Sequence, residues 1–266
     1  MPSGMDQIQG CLIDLDGTVY QEGRVIDGAA SAIDALRRAD IPFRFATNTT
    51  RMPRAALASR LVDLGIPAGP EEILSAPSAA ARWLRSRGVE RVRLLLNRET
   101  WGEFEGMTID DRSPEYVVVG DLAGDWTFEV LNGTFRNLME GAELLAIQRN
   151  RYWRTDGGLS LDAGPFVAAL EYATGKTAIL AGKPSPAFFE AAARELGLPP
   201  DRIAVIGDDL EGDVLGAREA GMIGVAVRTG KYRPEDEERI QAAADLVVDS
   251  LRWPLTSAIP TRSGGR

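Results

Sequence analysis

Short apolar runs alternate with stretches of helical periodicity along most of the chain. CLIDL at 11–15 is an apolar run ending in carboxylates, the pattern of a buried strand. A helix is expected near 28–39 with Ile33 and Leu36 on one face, followed by a strand, IPFRFAT, at 41–47. Pro53 suits the first turn of a helix carrying Leu57, Leu61 and Leu64 at helical spacing and closed by Gly65. From residue 181 the rhythm resumes. Phe188, Phe189, Ala192 and Leu196 form a helical stripe ended by Gly197, and IAVIG at 203–207 reads as a strand. A helix is expected near 212–220, then the strand IGVAV at 223–227. Strands separated by helices of this length make βαβ units. The expected fold is therefore α/β, a doubly wound, Rossmann-like parallel sheet.

The segment between these halves, about 100 residues, is long enough for a small domain of its own. RLLL at 93–96, YVVV at 116–119, ELLAI at 143–147 and TAIL at 177–180 read as strands. Helical patterns fall near 78–87, 127–139 and 164–173. The expected organisation is a core formed from residues 1–80 and 181–266, with residues 81–180 inserted as a second α/β module. The tail TRSGGR is expected to fray.

Composition narrows the chemistry. The 266 residues include 30 Lys and Arg against 39 Asp and Glu, a formal charge of −9, with no histidine and one cysteine, Cys11. Without imidazole, Ser-His-Asp triads, Cys-His dyads and His-ligated metals are excluded. One cysteine excludes a tetrathiolate site and an intramolecular disulfide, which fits a reducing compartment; a cytoplasmic location is expected. The N-terminus MPSGMDQIQG has neither a basic nor an apolar leader region, and no apolar run approaches the roughly 18 residues of a spanning helix. A pI near 4.8 argues against general nucleic-acid binding. An enzyme of this composition must work mainly with carboxylates, lysines and hydroxyls.

Those groups concentrate at strand ends. Asp14-Leu15-Asp16-Gly17-Thr18 follows the first strand, where ligands bind in open α/β sheets. Alone, DxDG is equally a solvated turn. Gly207-Asp208-Asp209 follows the strand IAVI, with Asp213 five residues beyond Asp208. Two strand ends supplying carboxylates favour a shared hard cation such as Mg²⁺, although Asp209 or Asp213 can instead cap the next helix. A third strand end delivers Thr47-Asn48-Thr49-Thr50, suited to an anion or to plain N-capping. Lys183, in Gly182-Lys183-Pro184, stands where the inserted module ends and the sheet resumes. Its ammonium can hold a phosphate and an anionic nucleophile together.

In this order, DLDGT, the strand ending in Thr47-Asn48, Gly-Lys183-Pro and GDDLEGD resemble the haloacid dehalogenase superfamily of phosphatases. The insertion between Thr47 and Lys183 resembles the type-2 cap of class IIA. RYWRTDGGLSLDAGPFVAALEYATG at 151–175 and VRTGKYRPEDEE at 227–238 resemble, more narrowly, class members acting on phosphohistidine, phospholysine and pyrophosphate. The resemblance implies Asp14 as nucleophile forming an aspartyl-phosphate and Asp16 as general acid and base. It gives Thr47 and the Asn48 backbone to the phosphoryl group, and Lys183 to that group and Asp14. It implies Mg²⁺ held by Asp14, the Asp16 carbonyl and Asp208, with Asp213 in support. Asn150 and Arg151, or Gly120-Asp121, are candidate cap contacts to a small phosphorylated substrate, and the cap is a candidate homodimer surface. Three other readings stay open: a metal-free dehalogenase, a receiver-like phospho-accepting signalling module, and a catalytically silent binding protein.

Overall fold

The computed structural model describes residues 8–155 and 158–251; the start of the N-terminal segment read above and the tail TRSGGR lie outside them. In chain order the strands open with β1 (Gly10–Ile13), β2 (Tyr20–Gln21), β3 (Arg24–Val25), β4 (Phe43–Thr47) and β5 (Ile73–Ser75). They continue with β6 (Arg91–Leu95), β7 (Thr108–Ile109), β8 (Tyr116–Val119), β9 (Glu143–Ala146), β10 (Tyr152–Thr155) and β11 (Gly158–Leu161). The last are β12 (Ile179–Leu180), β13 (Ile203–Gly207), β14 (Ile223–Val227) and β15 (Leu246–Val248). The chain divides into two compact units: Met1–Thr47, Arg54–Leu74 and Phe189–Arg266 form the first, Asn48–Pro53 and Ser75–Phe188 the second.

The first unit is built on a six-stranded sheet of order β15-β14-β13-β1-β4-β5, in which β1, β4, β13, β14 and β15 run parallel. β1 and β13 are buried along their whole length, as unbroken apolar runs in a doubly covered sheet must be. Helix α1 (Ala29–Arg38) buries Ala29, Ala32, Ile33 and Leu36. Helix α2 (Arg54–Asp63) buries Leu57, Ala58 and Leu61. Each side chain the size of Leu57 withdrawn from water contributes about 1.5–3 kcal/mol. The order reverses between β1 and β13: from β1 the chain moves to β4 and β5, and from β13 to β14 and β15. That reversal opens a crevice beyond the carboxyl ends of the two central strands.

The second unit holds a five-stranded parallel sheet of order β12-β9-β8-β6-β7. Strand alternation splits its side chains between two cores. Val118, Leu145 and Ile147 pack with Ala80, Leu84 and Phe104 on one face. Val117, Val119, Leu144 and Ala146 pack with Leu138, Val167 and Leu170 on the other. β10 and β11 form an antiparallel ribbon apart from this sheet.

One local expectation is corrected. In place of a single helix near 212–220, a π-helical turn spans Leu210–Leu215 and a four-residue α-helix follows at Gly216–Glu219. The Asp209 carboxylate causes the early start, accepting hydrogen bonds from the N–H groups of Glu211 (3.1 Å) and Gly212 (2.9 Å). Among the described residues no helix is long and apolar enough to cross a membrane.

Candidate active site

β1 and β13 lie in register, Ile13 opposite Ile206, and the Asp14 N–H donates to the Ile206 carbonyl at 2.9 Å. Asp14 and Asp208 therefore leave the sheet side by side at the crevice. The helical turn at Leu210–Leu215 brings Asp213 back toward them, and its carboxylate accepts from the Asp209 N–H at 3.2 Å. One oxygen from each of Asp14, Asp208 and Asp213 lies within 4.8 Å of the others. Asp14 and Asp213 are buried, at 8% and 1% exposure.

Three carboxylates this close repel strongly. At an effective dielectric near 20, each ionised pair costs about 3 kcal/mol. Burial, chiefly, pushes the Asp208 carboxyl up to about 6, with Asp213 adding to the rise and the Lys231 N–H opposing it. A bound cation removes this cost. The donor set is all oxygen, which suits a hard divalent ion and not a soft one.

Asp16 sits beyond the buried strand, exposed, in a tight turn. The Gly17 N–H donates to the Tyr20 carbonyl at 2.7 Å, and the Thr18, Val19 and Tyr20 N–H groups converge on the Leu15 carbonyl. Gly17 has φ +85°, and a Cβ there would strike the Asp208 carboxylate and approach Gly230 Cα to 2.9 Å. Glycine is required on both counts. Tyr20 is buried beneath the Arg60 guanidinium, 4.6 Å from its ring centroid. Burial and then the Asp16 charge push the Tyr20 hydroxyl above the usual tyrosine range, so it stays protonated.

Thr47 ends β4 and is buried. In the second unit, Asn48 and Lys183 are locked together. The Asn48 amide donates to the Lys183 carbonyl at 2.9 Å and accepts from the Lys183 N–H at 2.8 Å. Lys183 itself is buried, three residues beyond the end of β12, and its bond to Pro184 is cis. Gly182 permits this lock, because a Cβ there would lie 2.8 Å from the Asn48 side-chain oxygen. The polar lock between residues 135 apart was not evident from sequence, where Asn48 was assigned only a backbone role.

Asn150 and Arg151 are exposed on the loop after β9. Gln148, buried beneath them, accepts from the Asn150 N–H at 2.7 Å and donates to Asp162. The Asn150 and Arg151 carbonyls accept from Gly164 and Asp162. Asp121, after β8, is ion-paired with Arg51 and its carbonyl accepts from the Asn97 N–H at 2.8 Å.

Thr229-Gly230-Lys231, in the run VRTGKYRPEDEE and in the loop after β14, carries part of the resemblance but has no site role in the sequence reading. The Thr229 hydroxyl donates to the Gly17 carbonyl at 2.5 Å, and the Lys231 N–H donates to Asp208 Oδ2 at 2.7 Å. The Lys231 ammonium pairs with Asp209 at 2.5 Å. The signal was available: this polar run follows the strand IGVAV directly, as the acidic runs follow theirs.

Two family models match the chain. One, haloacid dehalogenase-like hydrolase, covers residues 11–109, and the other, HAD-hydrolase-like, covers 180–254. The human haloacid dehalogenase-like hydrolase domain-containing protein 2 is 40% identical over 92% of this chain and 93% of its own length. The human phospholysine phosphohistidine inorganic pyrophosphate phosphatase is 37% identical over 92% of each. Among solved structures, a 4-nitrophenylphosphatase from Thermotoga maritima superposes with a TM-score of 0.88 at 28% identity, over 96% of this chain and 98% of its own. With acidic and polar loops at the strand-order reversal of the first unit and a relative 40% identical over 92% of the chain, the chain belongs to the haloacid dehalogenase-like hydrolase family.

Proposed function

We propose that the protein is a Mg²⁺-dependent phosphatase that hydrolyses a small phosphorylated metabolite through an aspartyl-phosphate on Asp14. The observation that carries this reading is the group of three aspartate oxygens within 4.8 Å at the carboxyl ends of β1 and β13, two of the three side chains being buried. Asp14 and Asp208, with Asp213 in support and the Asp16 carbonyl, would hold the Mg²⁺. When bound, the ion neutralises the carboxylates and the phosphoryl oxygens, so that an anionic nucleophile can meet an anionic substrate.

An Asp14 carboxylate oxygen attacks phosphorus, and the bond from phosphorus to the leaving oxygen breaks. Asp16, as a carboxylic acid, gives that oxygen its proton. The resulting Asp16 carboxylate then takes a proton from water as the water oxygen attacks phosphorus. The bond from phosphorus to Asp14 breaks, and inorganic phosphate leaves. Asp16 suits both duties because it stands on an exposed turn, open to water, while the nucleophile is buried. Thr47, the Asn48 backbone and Lys183 would bind the phosphoryl group in this reading, and Asn150 and Arg151 are the candidate contacts to the leaving group.

A second substrate class, P–N bonds and pyrophosphate, is favoured by the 37% identity to the human enzyme named for phospholysine, phosphohistidine and pyrophosphate. Kinetics on 4-nitrophenyl phosphate, phosphohistidine, phospholysine and pyrophosphate rank the two classes. Hydrolysis of 4-nitrophenyl phosphate with Mg²⁺, absent in EDTA and absent in Asp14→Asn, is the expected result for the activity itself. Full activity in EDTA, or in Asp14→Asn, contradicts it. A stable phospho-protein without turnover supports the receiver-like reading instead.

A further inference from the structure

Three loops meet at the crevice, and the third has no role in the reading above. The loop after β14 is rigidly rooted. The Arg228 N–H donates to the Val248 carbonyl at 2.9 Å, and its guanidinium bonds Glu237 at 2.6 Å and Asp249 at 2.9 Å. The Tyr232 N–H closes the far side onto the Thr229 carbonyl at 3.1 Å. From this base the Thr229 hydroxyl reaches the Gly17 carbonyl at 2.5 Å, across 212 residues of sequence. Gly230, with φ +60°, has no room for a Cβ, which would strike Asp208 Oδ2 and come within 2.6 Å of Gly17 Cα. The two glycines thus approach each other closely, with the Asp208 carboxylate against both.

We propose that Thr229 is a positioning residue for the reaction: by tying the Gly17 carbonyl to a rooted loop, it fixes the turn that carries Asp16 relative to Asp14 and Asp208. The proposal rests on the phosphatase reading for its consequence, although not for its geometry. Within the turn, the Gly17 N–H bonds Tyr20 and three N–H groups bond the Leu15 carbonyl. The Thr229 bond runs from this turn to the loop after β14, a second strand end. A general acid must meet the leaving oxygen within hydrogen-bond reach, and displacements of about 1 Å at a catalytic group cost on the order of 100-fold in rate. With Mg²⁺ saturating, the group displaced is the acid and not the side chains that bind the phosphoryl group, so the loss belongs in kcat and not in KM.

Thr229→Val keeps the shape and removes the donor, while Thr229→Ser keeps the donor. Steady-state kinetics at saturating Mg²⁺, thermal melting and amide hydrogen exchange of the peptide spanning residues 14–20 are measured on both variants, alongside wild type and Asp14→Asn. We expect kcat to fall about 10-fold or more in Thr229→Val with KM within about 2-fold, and Thr229→Ser to recover most of the rate. Exchange at residues 14–20 should rise in Thr229→Val alone. A Thr229→Val enzyme with wild-type kcat overturns the proposal, as does a lowered melting temperature with unchanged exchange at 14–20 and an equal loss in Thr229→Ser. Failure of the phosphatase reading looks different: wild type is then inactive, or Asp14→Asn is active, whatever Thr229 does. The exchange measurement reports the Thr229 tether in that case too, and an unchanged rate of exchange overturns it.

Discussion

The two units carry the same kind of sheet and very different carboxyl edges. In the first, the strand-order reversal between β1 and β13 collects Asp14, Asp208 and Asp213 within 4.8 Å, and the Asp208 carboxylate accepts from the Lys231 backbone N–H. In the second, the reversal lies between β6 and β8, and there the polar groups are matched in pairs. Arg51 answers Asp121, and Gln148 answers Asp162. The Asn48 amide is spent on the Lys183 backbone. A doubly wound sheet offers the same crevice in both cases, so the architecture alone does not confer chemistry. What separates them is electrostatic. Matched pairs stabilise and position a loop, whereas three adjacent carboxylates are a cost that a cation must offset.

Substitutions can break this comparison, and Asp14→Asn should have the largest effect. It removes the proposed nucleophile and one of the three carboxylate charges, and kcat on 4-nitrophenyl phosphate should drop by about 1000-fold or more. Asp208→Asn comes next. Calorimetric titration should show Mg²⁺ affinity weakened beyond the roughly 10–100-fold that changes outside the ligand shell produce. The apo variant should at the same time melt higher, because a buried carboxylate at the cluster has been replaced by a neutral amide.

The second unit should respond in the opposite way. A double-mutant cycle on Arg51→Ala and Asp121→Ala should yield a coupling of about 1 kcal/mol, modest because Arg51 is 41% exposed, with no change in Mg²⁺ affinity. A lowered Mg²⁺ affinity would erase the distinction drawn between the two edges.

The smallest effect concerns pH and the root of the Thr229 loop. The Arg228 bond, then Gln241, holds the Glu237 carboxyl down at about 2, below the usual 4.5. A carboxyl depressed in the folded state stabilises it fully above its unfolded value and loses that contribution as the pH falls from 4.5 toward 2. Glu237→Gln should therefore melt lower than wild type at neutral pH, and the gap should close as the pH drops through that window. A gap that stays constant with pH would assign Glu237 a role other than this ion pair.

Much of this was legible in the sequence, and for identifiable reasons. CLI and IAVI are unbroken apolar runs, so β1 and β13 had to be buried central strands, and carboxylates placed directly after them had to fall at the sheet's edge. The second unit's strands YVVV and ELLA were as plain. The ribbon of β10 and β11 was not read, although Asp156-Gly157 between two short runs is a hairpin signal. Its strands mix polar and apolar residues, and Tyr152, Leu159 and Leu161 are exposed, so these apolar positions do not mark a buried face. The antiparallel pair β2 and β3, two residues each, is too short to show a period. At the site, acids declared themselves by charge and position. The contributions of Thr229 and Asn48 are hydrogen bonds across 212 and 135 residues, and no local pattern encodes a partner at that distance.

The central claim is that Asp14, at the centre of the acidic crevice, takes the phosphoryl group covalently. Quenching the enzyme in mid-turnover of 4-nitrophenyl phosphate and reducing it with borohydride converts an aspartyl-phosphate to homoserine, which peptide mass spectrometry locates by residue. The account predicts homoserine at position 14, formed with Mg²⁺ and substrate together and absent when either is withheld. Active enzyme that yields unmodified Asp14, or homoserine at another aspartate, contradicts it.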